Sequence, residues 1–261
     1  MTLPHRLDRS VLIRASRETV FRFFTDSTRW ASWWGKGSTI DPRPGGRMLI
    51  CYPGGVQASG EVTEVSPPDR IVFTYGFVGD KPIAPGSSRV TIRLAPDGPG
   101  GRETRLTLVH EFAEPAVRDE HVQGWRYQLA LFGNLVANEV HAGATSMVDG
   151  WFDAWAEPDV VARERVLAKV AVPEVRFRDQ YGLTDGLADL MPHITAALKF
   201  MPGVCPRRAG DVRHCQGTVL CDWRVVMPDG QERATGTNVF TLGADGRIES
   251  VTGFWGLPKS A

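Results

Sequence analysis

Residues 115–141, PAVRDEHVQGWRYQLALFGNLVANEVH, decide the fold of the first half of the chain. Large side chains recur in this stretch at steps of three and four residues, which is the period of an amphipathic helix. They are Val117, His121, Trp125, Leu129, Phe132, Val136 and Val140. A stripe of this length must pack against another element, so the sequence predicts a long helix from Pro115 to about His141.

Strand-like segments precede this helix. A strand at Val11–Ile13 and two short helical pieces, the first of which Ser16 can cap, come earlier still. Turn sequences rich in Pro and Gly separate the later segments. These segments are residues 47–52, 56–65, 70–77, 88–94 and 104–112. This order predicts antiparallel strands that wrap around the helix that follows them.

The composition is that of a neutral globular protein. A chain of 261 residues predicts two domains, each large enough to bury a core. Lys and Arg number 30, as do Asp and Glu, so we expect no binding of nucleic acid or of a membrane. The cysteines, Cys51, Cys205, Cys215 and Cys221, lack metal-ligand spacing and are interpreted as reduced thiols. Neither a signal peptide nor a membrane span is recognised, so we expect a cytoplasmic protein.

Short motifs in the first half occur in an order that resembles the START-like SRPBCC superfamily. Within it, the similarity is to the branch of the C-terminal domain of the activator of the heat-shock-protein-ninety ATPase. The motifs are Ala15–Phe21, Trp33, Pro44–Gly46, Gly60–Val62, Pro67–Arg70, and His110 followed by His121-x-x-Gly124-Trp125. The resemblance covers residues 6 to 141 and implies a helix-grip fold with a deep apolar cavity between the sheet and the long helix.

A second domain is predicted after the small-residue segment His141–Ser146, which gives domains of residues 1–143 and 144–261. Helical segments come first and strand-like segments follow, which predicts an α+β domain. The helices lie at Met147–Trp155, after Pro158 and at roughly Gly186–Phe200, and the strands are residues 203–214, 217–227, 231–242 and 247–254. Pro192 either weakens the third helix or marks its true start. Pro228-Asp229-Gly230 and Ala244-Asp245-Gly246 are predicted to form hairpin turns.

This half resembles the nuclear-transport-factor-two superfamily, which includes SnoaL-like polyketide cyclases and ketosteroid isomerase. The matching residues are Trp155 with Glu157-Pro158-Asp159, Phe177-x-Asp179-x-x-Gly182, Gly186, Asp245–Ile248 and Gly253–Trp255. The resemblance covers residues 146 to 257 and implies a cone-shaped α+β domain with its own apolar cavity. Because the superfamily contains enzymes, binders and scaffolds, the fold alone does not decide the function.

Asp179 is the main candidate catalytic residue. It closes the alternating stretch 175–179, VRFRD, which in a strand puts the carboxylate on the apolar face. A carboxylate removed from water has a raised pKa and can act as a base near neutral pH. The resemblance to ketosteroid isomerase implies that Asp179 stands at the base position, Asn238 at that of a protonated acid and Trp151 at that of a tyrosine. An indole donates a hydrogen bond but cannot shuttle a proton, so the reaction class stays open.

Each of these residues also has a structural interpretation. Asp179 can cap the turn that follows it, and Asn238 can satisfy backbone groups within the sheet. The aromatic residues are candidates for a ligand-binding wall or for core packing. Beside Trp151, they are Trp155, Phe177, Trp223 and Trp255. His214 is a further ligand-binding candidate if adjacent strands bring it to Asp179, and otherwise a half-buried strand histidine.

In the first half, the candidate ligand-binding residues are His110, His121 and Trp33. His110-Glu111 resembles the start of a zinc-protease motif, but His121 follows His110 by eleven positions and not by four, so no metal site is expected. Both histidines are interpreted as polar groups at the mouth of the cavity, with a structural role as the alternative.

The sequence therefore predicts a two-domain α+β protein that binds a small hydrophobic or aromatic ligand and uses no cofactor. The favoured function is proton-transfer chemistry, namely an isomerisation, cyclisation or dehydration. In this reaction Asp179 acts as the base, and Asn238 and Trp151 donate hydrogen bonds to the developing oxyanion. A non-catalytic carrier or sensor of lipid-like ligands and a co-chaperone-like interaction protein are the alternatives. A homodimer is left open.

Overall fold

The computed structural model describes residues 2–79, 82–203, 205–227 and 230–256. The chain divides into two compact units, residues 1–137 and 138–261. Each unit combines one sheet with helices, so the α+β class predicted from the sequence is confirmed. The predicted turn residues Pro228 and Asp229 lie outside the described part of the chain.

The first unit is an antiparallel sheet with two short helices and one long helix. Its strands are β1 (His5–Ile13), β2 (Thr39–Ile40), β3 (Arg47–Cys51), β4 (Gln57–Ser66), β5 (Arg70–Phe77), β6 (Ser88–Asp97) and β7 (Glu103–Phe112), and its helices are α1 (Arg17–Arg22), α2 (Ser27–Trp34) and α3 (Pro115–Val140). The strands lie in the order β1-β7-β6-β5-β4-β3-β2. The long helix α3 ends within one residue of its predicted end, and the arrangement is the predicted helix-grip fold.

Helix α2 brings large aromatic residues into the core of this unit. Its N-cap is Asp26, whose carboxylate accepts a hydrogen bond from the Arg29 backbone N–H at 2.9 Å. Trp30 and Trp33 are then fully buried, with ring centres 5.2 Å apart in an edge-to-face arrangement. Phe132 of α3 packs against Trp33 at 4.9 Å, so the apolar stripe of the long helix meets the aromatic face of α2.

The second unit is a mixed sheet with three helices. Its helices are α4 (Ala144–Ala156), α5 (Val160–Val170) and α6 (Leu187–Phe200), and its strands are β8 (Ala171–Arg178), β9 (Leu183–Asp185), β10 (Arg207–Cys215), β11 (Thr218–Val226), β12 (Glu232–Leu242) and β13 (Ile248–Trp255). The strand order is β10-β11-β12-β13-β8-β9. Strands β13 and β8 are parallel, whereas the other neighbours are antiparallel.

The end of β8 and the start of α6 in the second unit correct two details of the sequence prediction. Strand β8 ends at Arg178, so Asp179 follows the strand instead of closing it. The Asp179 carboxylate accepts hydrogen bonds from the next turn of backbone, which turns the chain away from the sheet. Helix α6 begins at Leu187, so Pro192 lies inside the helix and does not mark its start.

Gly60 on β4 provides a test of the strand packing in the first unit. A Cβ atom at this position would lie 1.8 Å from the backbone oxygen of Thr74 on β5, which cannot move without disturbing the sheet. We expect Gly60→Ala to lower the free energy of unfolding by about 1–3 kcal/mol. The matched control is Gly124→Ala on α3, where a Cβ meets nothing within 4 Å.

The control should raise the free energy of unfolding by about 0.5–1 kcal/mol, because glycine is a poor helix former. Urea unfolding followed by tryptophan fluorescence measures both variants. Equal stability of Gly60→Ala and the parent protein would contradict the strand packing described.

Candidate functional site

Candidate residues of the second unit converge on one small cavity of about 60 Å³, called here the Asp179 cavity. It holds only a few water-sized spheres. The candidates among its lining residues are Asp179, Asn238, Trp151, Trp155, Phe177, Trp223 and Trp255. Phe152, Ala197, Met201, Pro206, Val225 and Gly253 complete the wall. The aromatic rings and the two polar side chains thus share one site.

The Asp179 carboxylate has a structural contact on each oxygen. Its Oδ1 atom accepts hydrogen bonds from the backbone N–H groups of Tyr181 and Gly182, both at 2.8 Å, which closes an Asx turn. Its Oδ2 atom accepts one from Trp255 Nε1 at 3.0 Å. The half-buried Asp179 side chain therefore both caps the turn and lines the cavity.

Asn238 lies on β12 beside this carboxylate. Its Oδ1 atom accepts a hydrogen bond from Trp223 Nε1 at 3.0 Å, and since an indole only donates, the amide oxygen is fixed toward Trp223. A Cβ atom on Gly253, directly opposite on β13, would lie 3.1 Å from Asn238 Oδ1 and 3.2 Å from Asp179 Cβ. The absence of a side chain at Gly253 therefore lets both polar groups reach the same part of the cavity.

Trp155 contributes a polar atom to the cavity wall, whereas the sequence had suggested only an aromatic contact. Its buried Nε1 atom has no hydrogen-bond partner within the described residues. Trp151, the donor suggested by the resemblance, is almost fully buried, with its ring centre 6.0 Å from Phe177. Trp155 lies closer to the same ring, at 5.2 Å. Both tryptophans line the cavity.

His214 does not belong to the Asp179 cavity. Its Nε2 atom lies 2.9 Å from His141 Nδ1, and its Nδ1 atom lies 2.9 Å from the side-chain oxygen of Asn138. Burial and the neighbouring His141 lower the pKa of His214 below its usual value. Strand β10, which carries His214, is separated from β8 by three other strands, so the adjacency that would bring it to Asp179 does not occur.

The first unit contains a much larger cavity of about 560 Å³, called here the Trp34 cavity. This volume lies in the range of small-molecule binding sites, roughly 300–1,000 Å³. Its lining residues are Trp33, Trp34, Tyr52, Pro53, Val56, Tyr75, Phe77, Glu120, His121, Gly124, Trp125, Tyr127, Gln128 and Leu131. Positions 121, 124, 125, 128 and 131 follow the helical period, so one face of α3 forms a wall. The candidates Trp33 and His121 are thus in the lining.

His110 lies behind this wall, fully buried on β7. Trp125 Nε1 donates to His110 Nδ1 at 3.0 Å, so the ring hydrogen is on Nε2, which lies 2.8 Å from Ser88 Oγ. Ser88 in turn donates to the Tyr75 backbone oxygen at 2.7 Å. Burial and the nearby His121 lower the pKa of His110 well below its usual range. His110 is therefore a neutral residue that connects the sheet to α3.

His121 presents one nitrogen without a partner. Its Nδ1 atom lies 2.7 Å from the Val117 backbone oxygen, which can only accept, so Nδ1 carries the hydrogen. Its Nε2 atom is buried and has no hydrogen-bond partner in the described ranges. Burial lowers the pKa of His121, which favours the neutral ring.

Trp34, Tyr52 and Tyr75 are polar residues of this cavity that the sequence did not identify as candidates. Trp34 is 5% exposed, and its Nε1 atom has no partner among the residues described. The hydroxyl groups of Tyr52 and Tyr75 lie 2.9 Å apart, and burial raises the pKa of Tyr52 to about 12 and that of Tyr75 further, so both stay protonated. The alternation of Phe73, Tyr75 and Phe77 on β5 was an available signal for Tyr75.

Comparisons with known proteins agree with this division. Residues 14–137 match the family model of the Activator of Hsp90 ATPase homolog 1-like protein, the branch that the motifs of this part of the chain resemble. The second unit has the α+β arrangement that its sequence predicted, with helices followed by strands. A search of curated proteins finds no match.

Three solved structures illustrate the similarity to each half. A SnoaL-like family protein from Agrobacterium tumefaciens is 27% identical over 46% of this chain and 99% of its own, with a TM-score of 0.42. CalU16 from Micromonospora echinospora is 26% identical over 51% and 77%, with a TM-score of 0.42. The Aha1 dimer from Colwellia psychrerythraea is 17% identical over 48% and 90%, with a TM-score of 0.40. At these TM-scores, the likenesses do not decide the function.

In the described residues, no three or more His, Cys, Asp or Glu side chains form a group that could hold a metal ion. No helix in the described part of the chain is both long and apolar enough to cross a membrane.

The buried His110 predicts a pH dependence of stability. Its folded-state pKa is lowered, so its contribution is fully present above the unfolded pKa of about 6.5 and is lost as the pH falls below that value. We expect the free energy of unfolding to fall between about pH 6.5 and about pH 5, by up to about 1.4 kcal/mol per pH unit from this residue.

The control is His110→Gln, because Gln can accept from Trp125 and donate to Ser88 without titrating. Its unfolding free energy, from urea titrations over the same pH range, should fall less steeply than that of the parent protein. Identical slopes would contradict a neutral buried His110.

Proposed function

We propose that the first unit binds one uncharged aromatic molecule in the Trp34 cavity. The observation that carries this proposal is the combination of about 560 Å³ of cavity volume with a predominantly aromatic wall. Pockets of this volume with apolar walls and a few polar groups are typical of small-molecule sites. The START-like fold of residues 14–137, a ligand-binding fold, supports it.

The arrangement of the rings favours a flat ligand. The Trp34 ring lies edge-to-face with Trp125 at 5.6 Å and with Tyr52 at 5.8 Å. Three rings at near right angles offer both faces and edges to an aromatic guest, and each such ring pair contributes about 0.5–1.5 kcal/mol beyond burial.

The charges of the lining favour an uncharged ligand. Neither Lys nor Arg is among the lining residues that the structure describes. Glu120 is exposed, and the lowered pKa of His121 favours its neutral form. A buried ionic ligand would have no counter-charge, and burying an unpaired charge is costly.

The rim of the cavity indicates how a ligand enters. Tyr127 on α3 is 69% exposed and Val56 is 37% exposed, yet both contribute to the lining. A large aromatic and an aliphatic side chain at the water boundary form an apolar mouth, which favours entry of a hydrophobic molecule from solution.

Gly124 gives the test of this proposal. Gly124 on α3 lines the Trp34 cavity, and a Cβ atom added there meets nothing within 4 Å. We expect Gly124→Leu to fill the cavity and to weaken binding of N-phenyl-naphthylamine, an uncharged fluorescent aromatic probe, by at least about tenfold, which equals about 1.4 kcal/mol. Fluorescence titration measures the Kd.

The matched control is Gly133→Leu on the same helix. Gly133 also has open space around its Cβ position but does not line the cavity, so its variant should bind the probe as the parent protein does. Unchanged binding by Gly124→Leu would refute the proposed site.

Proton transfer in the Asp179 cavity is a second candidate function. It is favoured by the hydrogen bond from Trp255 Nε1 to Asp179 Oδ2, which orients the carboxylate in an aromatic wall next to Asn238. In this proposal Asp179 removes a proton next to a carbonyl group. Asn238 and the tryptophans Trp151 and Trp155 donate to the enolate oxygen, as isomerases, cyclases and dehydratases require. The small volume of about 60 Å³ restricts the reacting group to a small one.

Asp179→Asn tests this second function. The Asn side chain can still close the turn through its oxygen, but it cannot act as a base. With acetone as a small enolisable probe, exchange of its α-hydrogens in D₂O should be catalysed by the parent protein. The variant should be slower by about 10²–10⁴-fold, as followed by proton NMR.

Asp185→Asn, an exposed acid on β9 outside the cavity, is the control and should leave the rate unchanged. Equal exchange rates for Asp179→Asn and the parent protein would refute a base role for Asp179.

A further inference from the structure

Two buried nitrogen atoms of the Trp34 cavity lack a hydrogen-bond partner in the part of the chain that is described. They are Trp34 Nε1 and His121 Nε2, called here the donor–acceptor pair. An unsatisfied buried polar atom costs about 1–3 kcal/mol, so native structures rarely retain one without a use for it. Two in the lining of one cavity indicate that a ligand supplies the missing partners.

His121 must meet a hydrogen-bond donor. Its Nδ1 hydrogen is directed at the Val117 oxygen, 2.7 Å away, so the Nε2 atom of the neutral ring has only a lone pair to offer. The ring is held by aromatic neighbours, with Phe112 at 4.9 Å and Tyr75 at 5.9 Å between ring centres. The acceptor is therefore fixed in direction.

Trp34 must meet a hydrogen-bond acceptor. An indole nitrogen can only donate, and the Trp34 ring is held between Trp33 at 4.3 Å and Trp125 at 5.6 Å. The neighbouring Trp30 and Trp33 indoles already donate to backbone oxygens of Leu49 and Phe23. Trp34 thus differs from its two neighbours on α2, because its buried indole nitrogen has no acceptor among the described residues.

We propose that the Trp34 cavity selects a hydroxylated aromatic carbonyl compound, whose hydroxyl group donates to His121 Nε2 and whose carbonyl oxygen accepts from Trp34 Nε1. This inference rests on the proposed function of the same cavity and adds the ligand class. A phenol fits better than a carboxylic acid, because a carboxylate would face the His121 lone pair and find no cationic side chain among the described lining residues.

Three related fluorescent probes test the inference. Umbelliferone has a phenol hydroxyl and a lactone carbonyl, herniarin is its methyl ether, and coumarin lacks the hydroxyl group. Titrations are performed at a pH below the pKa of the umbelliferone phenol. The parent protein should bind umbelliferone at least about tenfold more tightly than herniarin or coumarin, because only umbelliferone can donate to His121.

Two variants assign the contacts. His121→Phe keeps an aromatic side chain but removes the acceptor, so the preference for umbelliferone over herniarin should disappear while herniarin binding is retained. Trp34→Phe removes the donor and should weaken all three lactones by a similar factor. It should weaken the binding of N-phenyl-naphthylamine, which has no carbonyl, by a clearly smaller factor than that of the three lactones, because this probe loses ring contact but no hydrogen bond.

The outcomes separate this inference from the proposed function. Equal affinities of the parent protein for the three lactones, or binding of N-phenyl-naphthylamine without binding of any lactone, would overturn the ligand class and leave the aromatic site in place. Absence of saturable binding for all four probes would overturn both. A preference for umbelliferone that survives in His121→Phe would overturn the assignment of the acceptor.

Discussion

The cavity of the first unit depends on how α3 is attached to the sheet. The hydrogen bond from Trp125 Nε1 to His110 Nδ1 joins the helix to β7 at 3.0 Å, and the Gln128 side-chain amide donates to the backbone oxygen of Trp33 on α2. Both residues lie on the helix face that Gly124 shares, and Gly124 adds no side chain to fill the space. Because its anchors are buried and directional, the helix covers the sheet without collapsing onto it. The aromatic lining, the fixed His121 ring and the orientation of Trp34 all follow from this attachment.

The second unit uses one carboxylate for two purposes. Asp179 closes the turn after β8 and also orients Trp255 across the cavity. The structural and catalytic interpretations are therefore not exclusive, since a base that is held by its own turn needs little reorganisation to act. The two cavities differ about ninefold in volume, at about 560 and about 60 Å³. Ligand binding in the first unit and proton transfer in the second are therefore independent hypotheses. Gly124→Leu tests the first and Asp179→Asn tests the second.

Local patterns predicted the elements, whereas side chains brought together by tertiary structure were harder to predict. The three- and four-residue period of residues 115–141 predicted α3, and motif order suggested both folds. The resemblance also grouped Asp179, Asn238 and Trp255, which the structure brings to one cavity. The position of His214 relative to Asp179 could not be predicted, because the order of β10 and β8 within the sheet cannot be read from the sequence of either strand. Trp34, Tyr52 and Tyr75 were missed because their shared cavity joins helix α2, the residue that follows β3 and strand β5.

The most direct measurement of the central claim is the NMR spectrum of the tryptophan indole N–H groups. The chain has eight tryptophans, and those of the two cavities can be assigned by substitution. On titration with umbelliferone, the account predicts that the Trp34 resonance shifts with saturation, as a new hydrogen bond forms, while those of Trp155 and Trp223 in the second unit stay in place. An unshifted Trp34 resonance at saturating ligand, or shifts confined to Trp155 and Trp223, would contradict it.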